Sequence, residues 1–257
     1  MTALQGNLAA LTLVVLSGGI SCRKTPPTGP SLATLHVAAA SDLRRAAPEL
    51  GQLFTERTGA KVTFTFAASG MLARQLEEGA PYGVFLSASK EHALRTTPQR
   101  GAHACDDHSL TLYARGALVL FAKADNPLPS TLSELTHPKY ARIAIANPDH
   151  APYGKAAKQA LTATGLWDAL VARIVVADSV DQALTFAKTG NADVAFASKA
   201  LLTEGEGSLL PVPPATYDPL LQAAVRCGNG ESATRFMTFL KSPDAAAVLA
   251  RYGFELP

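Results

Sequence analysis

From Leu35 onward, short β-prone apolar runs alternate with segments whose apolar positions recur every three or four residues. The runs Leu35–Ala39, Lys61–Phe66, Val84–Ser87, Ile143–Ala146, Ile174–Ala177, Val194–Ala197 and Leu220–Arg226 read as strands. Between and after them, Asp42–Thr58, Gly70–Glu78, Glu91–Gln99, Gly154–Thr164, Val180–Lys188, Ser232–Leu240 and Asp244–Arg251 read as helices. Gly59 closes the first helix and Gly79-Ala80-Pro81 the second, as left-handed caps and prolines do. Strand–helix alternation through short connections predicts an α/β protein with parallel or mixed sheets.

One apolar stretch breaks the rhythm. Ser109–Ala122, within SLTLYARGALVLFAK, reads as two strands with Arg115-Gly116 at a crossing between lobes. Pro211–Pro219 carries four prolines and reads as a return linker. The expected organisation is a lobe built from residues 34–112 and 219–257, with a second lobe, 113–218, inserted into it. A cleft then falls at the crossing, where ligand sites tend to lie.

Two stretches leading into helices are near copies: Ala-Ala-Ala-Ser41-Asp-Leu and Phe-Ala-Ala-Ser69-Gly-Met. Serine before a helix is a favoured N-cap, and its hydroxyl can also join the free N–H groups of the first turn in facing an anion. The second lobe adds Asn147–Gly154 and Asp178-Ser179-Val180 as further strand-to-helix corners. Four helix starts around one point make an anion site of neutral donors. Such a site suits a fully deprotonated dianion, because a proton on the ligand sets two donors face to face. Asp42 and Asp181 are alternatives as acceptors for a protonated ligand, or simply acids favoured at the positive end of a helix.

The remaining features narrow the class. Of 257 residues, 47% are hydrophobic, and the net charge of +2 comes without any basic run, so nothing points to nucleic acid. Residues 1–21 carry no charged side chain, and Leu8–Leu16 is too short to span a bilayer; the segment reads as an export signal. Cys22 stands where a bacterial lipoprotein signal has its lipidated cysteine, and residues 22–33 serve as a tether. Cleaved, soluble export is the alternative. In an oxidising compartment Cys105 and Cys227 either pair or stand as separate thiols. His103, Cys105, Asp106 and His108 lack metal-site spacing. Neither serine has the G-x-S-x-G elbow of a hydrolase, and the six histidines are scattered, which argues against an enzyme.

The segments AAASDL, TGAKVTFTFAASGMLARQLEEGAP, VFLSAS, NPDHAPYGKAAKQAL, GLWDAL, VDQAL, GNADVAF and KSPDAAAVLARYGF, in that order, resemble the molybdate-binding proteins of bacterial ABC transporters. The likeness runs from about Leu35 to Phe254. It implies a two-lobed periplasmic-binding-protein fold of type II with the ligand between the lobes. It also implies a monomer that needs no cofactor, binds molybdate or tungstate, and delivers it to a membrane permease. In that family two serines, two second-lobe amides and a tyrosine hydroxyl hold the oxyanion. These positions fall at Ser41, Ser69, Tyr153, Val180 and Phe196. Phenylalanine cannot donate, so the resemblance leaves Tyr153 or Ser198 to replace the lost hydroxyl, or Tyr153 to offer its amide alone. Sulfate, phosphate or a small organic anion on the same fold is the alternative ligand, and a ligand-sensing domain the alternative role.

Overall fold

β1 (Leu35–Ala40) and β2 (Val62–Ala67) pair in parallel, and β3 (Val84–Ser87) lies parallel on the other side of β1. β10 (Leu220–Arg226) returns from the far end of the chain and joins antiparallel between β3 and β4 (Asp106–Gly116). The first sheet therefore runs β2-β1-β3-β10-β4. The second holds β5 (Leu118–Lys123), β6 (Ile143–Ala146), β7 (Ile174–Ala177), β8 (Val194–Ser198) and β9 (Gly207–Pro211), in the order β7-β6-β8-β5-β9. This is a computed structural model, and it describes residues 34–98 and 104–257, with Thr2. The expected export segment, the tether and Cys22 lie outside the described residues, as does His103.

Helices α1 (Ala46–Thr58), α2 (Ser69–Glu77), α3 (Lys90–Arg95), α7 (Glu231–Leu240) and α8 (Pro243–Arg251) belong to the first lobe; α4 (Pro152–Ala163), α5 (Trp167–Leu170) and α6 (Val180–Lys188) belong to the second. The chain passes from one sheet to the other twice, at Gly116–Leu118 and between Pro211 and Leu220. The result is the two-lobed α/β arrangement expected from the alternation.

Among the departures from expectation, three have identifiable reasons. The first helix does not begin at Asp42: a 3-10 turn spans Ser41–Leu43 and α1 starts at Ala46. Pro48 has no N–H to bond back to residue 44, and its ring would crowd that carbonyl, so it is tolerated only inside a first turn. α3 stops at Arg95, because Thr96 and Thr97 turn their hydroxyls onto the carbonyls of Ala93 and Leu94 just before Pro98. β9 was not expected at all; Gly207 and Pro211 sit at the ends of an edge strand paired with β5, a place where proline is allowed.

Packing joins the lobes. The core of the second lobe, built on Leu120, Ile143, Ile145, Leu161 and Phe196, also takes in Ala40, Ala68 and Ala88 from the strand ends of the first. Cys105, just ahead of β4, is disulfide-bonded to Cys227, just beyond β10.

Candidate oxyanion-binding site

Ser41 and Ser69 are not N-caps. Ala40 and Ala68 hold the cap positions, neither with a side-chain cap bond, so each serine is the first residue of its turn. A cap hydroxyl bonds to amides of its own helix, as Ser89, Ser179 and Ser242 do here. One position further in, the hydroxyl is released from that task and points off the helix end beside the free amides. Ala88 N–H donates to Ser69 Oγ at 3.0 Å, which occupies the oxygen and leaves the hydroxyl proton to be given.

The second lobe contributes backbone. Ala151 caps α4 and Pro152 fills its first position, so the first amide α4 can offer is that of Tyr153. Gly154 lets α4 sit tightly on β6: a Cβ there would lie 2.0 Å from the carbonyl oxygen of Ala146. Ser179 caps α6 by accepting from Gln182 N–H at 3.2 Å, and Val180 N–H is left free. Ser41, Ser69, Tyr153 and Val180 all line one cavity, together with Ala40, Ala68, Ala88, Ala151, Pro152 and Asp42. Its interior measures about 10 Å³, roughly the space of one water, so any larger ion reaches it only when the lobes part.

Phe196 does not reach this cavity. It is buried in the second lobe, on β8 opposite Leu120 of β5. Two residues further along β8, Ser198 Oγ donates to the Tyr153 hydroxyl at 3.0 Å. That hydroxyl lies beneath the crossing strand, 2.1 Å from where a Cβ on Gly116 would stand, which is why residue 116 has no side chain. Tyr153 thus faces the cavity with its backbone and the interlobe crossing with its phenol.

The sequence offers Asp42 as an alternative acceptor or simply as an acid favoured at a helix start, and the structure gives it a central place. It is 1% exposed, and Gln222 Nε2 donates to its Oδ2 at 2.8 Å. Tyr113 donates in turn to Gln222 Oε1 at 3.5 Å. Oδ1 meets no donor at full hydrogen-bond geometry. Burial pushes the Asp42 carboxyl up to about 6, against the opposing pull of Tyr153, Gln222 and nearby backbone amides. Burial and the Asp42 charge both push the Tyr153 phenol well above its ordinary value. The signal for Asp42 was its place directly after Ser41, inside the same turn.

Outside the cavity, several contacts span the lobes. Gly70 N–H donates to the His150 carbonyl at 2.8 Å, Arg44 pairs with Asp181 at 2.7 Å and Lys155 with Glu91 at 3.6 Å. Among the described residues no cluster of metal-ligating side chains occurs, and no helix is long and apolar enough to cross a membrane.

A site that meets a small anion with serine hydroxyls and helix-start amides can hold and release it. The profile of the bacterial extracellular solute-binding proteins matches residues 35–255. The molybdate-binding protein ModA of Rhodobacter capsulatus is 36% identical over 226 residues, covering 84% of this chain and 86% of that protein. The ModA of Azotobacter vinelandii is 31% identical over 257 residues, covering 97% and 98%. The solved structure of the periplasmic molybdate-binding protein of Azotobacter vinelandii matches with a TM-score of 0.80 at 33% identity, over 87% of this chain and 99% of that one. The sulfate-binding protein SubI of Mycobacterium tuberculosis, at 16% identity and a TM-score of 0.71 over 88% and 87%, shares the fold. This chain belongs to the bacterial extracellular solute-binding proteins, which bind solutes rather than transform them, and stands among relatives that are molybdate-binding proteins.

Proposed function

We propose that this protein captures molybdate, and tungstate with it, and hands the ion to an ABC permease at the cell membrane. The observation that carries this reading is the convergence of four turn starts on one interlobe cavity, two giving hydroxyls (Ser41, Ser69) and two giving amides (Tyr153, Val180). These are neutral donors on the wall of one cavity, as a dianion requires. Close relatives that are molybdate-binding proteins support the choice among oxyanions. The two metal oxyanions share charge and nearly share size, so the same donors serve both. Capture and release proceed by hinge motion at Gly116–Leu118 and at the segment from Pro211 to Leu220. Export, with Cys22 as the point of acylation or with a cleaved soluble form, follows the pattern of the first 22 residues.

Titration calorimetry with molybdate, tungstate, sulfate and phosphate decides the matter. One-to-one binding of the first two, with no heat from the others, is the expected result; silence from both metal oxyanions overturns it. A second reading, phosphate held in protonated form, has Asp42 in its favour, since a carboxylate on the cavity wall accepts a ligand's proton. Heat from phosphate alone would select it.

A further inference from the structure

A buried carboxylate on the wall of an anion site is a contradiction that the other residues do not resolve. Asp42 lines the cavity beside Ser41, and its Oδ1 meets no donor at full hydrogen-bond geometry. An ionised Asp42 would repel a dianion at contact range through a medium of low dielectric. A neutral Asp42 would instead present an O–H, one more donor in a ring of donors.

We propose that Asp42 is a proton-carrying ligand group: oxyanion binding draws one proton from solvent onto its carboxylate, and the neutral carboxyl then faces the bound anion. This rests on the molybdate reading above. The balance is simple: dianion, ionised protein and one proton combine, and the proton returns to solvent on release. A carboxyl already held at about 6 by burial needs only a modest further push to stay protonated at neutral pH once a dianion lies beside it.

No other charge nearby serves in its place. Arg44, in the loop after the same turn, is paired with Asp181 of α6, and Arg45 donates to the Leu202 carbonyl and stands over the Tyr252 ring. Lys199, in the turn after β8, is exposed, and Arg115 of β4 is paired with Glu255. The groups that face Asp42 from α4, β4 and β10 are the Tyr153 and Tyr113 phenols, neutral in this range, and the Gln222 amide.

The test is calorimetry of the purified protein with molybdate in two buffers of different ionisation enthalpy, which counts protons directly. At about pH 7.5 we expect close to one proton taken up per ion bound, and close to none at about pH 5, where Asp42 is neutral beforehand. Affinity should fall roughly tenfold per pH unit above about 6. Asp42→Asn should bind with no proton uptake, whereas His92→Gln and His150→Gln should keep it. Binding without proton uptake in the unaltered protein overturns the proposal, as does uptake that survives Asp42→Asn or vanishes in a histidine variant. If Asp42→Asn does not fold, the pH 5 and pH 7.5 counts with the two histidine variants still decide. Absence of any molybdate heat is a different result, and it would sink the molybdate reading on which this step stands.

Discussion

Gly70 donates its backbone N–H to the carbonyl oxygen of His150, 2.8 Å away across the seam between the lobes. The residue follows Ser69 in the first turn of α2, so the clasp and the proposed oxyanion donor share one turn. A Cβ at position 70 would lie 2.7 Å from that oxygen and 2.9 Å from His150 Cα. Both are backbone atoms that cannot swing aside. Gly70→Ala should therefore fold normally, since alanine favours helix, but hold the lobes apart. Affinity for molybdate should drop roughly ten- to a hundredfold, about 1.4–2.8 kcal/mol. Calorimetry reads the loss, and scattering should show a ligand-saturated variant less compact than the parent.

The serines separate binding from stability. Ser41→Ala and Ser69→Ala each remove a donor and leave an oxyanion oxygen unmet, at about 1–3 kcal/mol of affinity. Only Ser69→Ala should also lower the melting temperature, because it strands the buried Ala88 N–H. Ser89→Ala supplies the contrast. It removes an ordinary α3 cap, should cost about 1 kcal/mol of stability and should leave affinity untouched. Melting curves and titrations of the three variants side by side check this pattern.

How much of this was legible from the chain varied with the distance over which each feature is decided. Val84–Ser87, Ile143–Ala146, Ile174–Ala177 and Leu220–Arg226 are strands with the expected bounds, because composition and adjacent turns fix them locally. Ser41 and Ser69 were legible as turn starts, but their step from cap to first position depends on how alanines pack into the opposite lobe. β9 was hidden, since an edge strand ending in proline looks like linker until its partner β5 is known. Asp42 was hidden more deeply: a first-turn acid is usually a solvated charge, and only the closure of Gln222 and Tyr153 over it makes it buried.

The disulfide closes a ring that contains the whole second sheet. Cys105 and Cys227 are 122 residues apart in sequence, yet they lie next to the paired Asp106 and Arg226 at the ends of β4 and β10. A loop of that length carries a large chain-entropy term, up to about 5 kcal/mol in the simplest account. Reduction, or Cys105→Ser with Cys227→Ser, should lower stability by about 2–5 kcal/mol. Molybdate affinity in the folded fraction should not change, since neither cysteine touches the cavity. Denaturant unfolding with and without reductant gives the first number, and titration of the reduced protein the second.

Tyr153 offers a test of backbone against side chain. Its hydroxyl accepts from Ser198 at 3.0 Å and lies beneath Gly116, on the side of the crossing strand. Its amide, by contrast, is the first free N–H of α4. Tyr153→Phe keeps that amide, so direct binding should change by less than about threefold below pH 6, while the stranded Ser198 hydroxyl lowers stability by about 1–2 kcal/mol. A hundredfold loss of affinity at pH 5 would mean that the phenol itself meets the ion.

Asp42 makes stability depend on pH with an unusual sign. Most native carboxyls sit low and favour folding as pH rises; this one is raised from 3.8 to about 6 by burial. Between those values the folded chain binds more proton than the unfolded one, so unfolding free energy falls as pH climbs from about 4 to about 6. Above that the penalty is complete, and a shift of about two units corresponds to at most roughly 3 kcal/mol. Asp42→Asn removes the ionisable group and keeps an oxygen for Gln222 Nε2 to reach. Measured without ligand, the variant should be more stable than the parent at about pH 8. The difference should shrink as pH falls and reach zero only below about pH 3, where the parent's carboxyl is neutral in both states. A difference that stays flat across this range, or that grows in acid, would mean that the charge of Asp42 is satisfied in the folded protein and that its burial costs nothing.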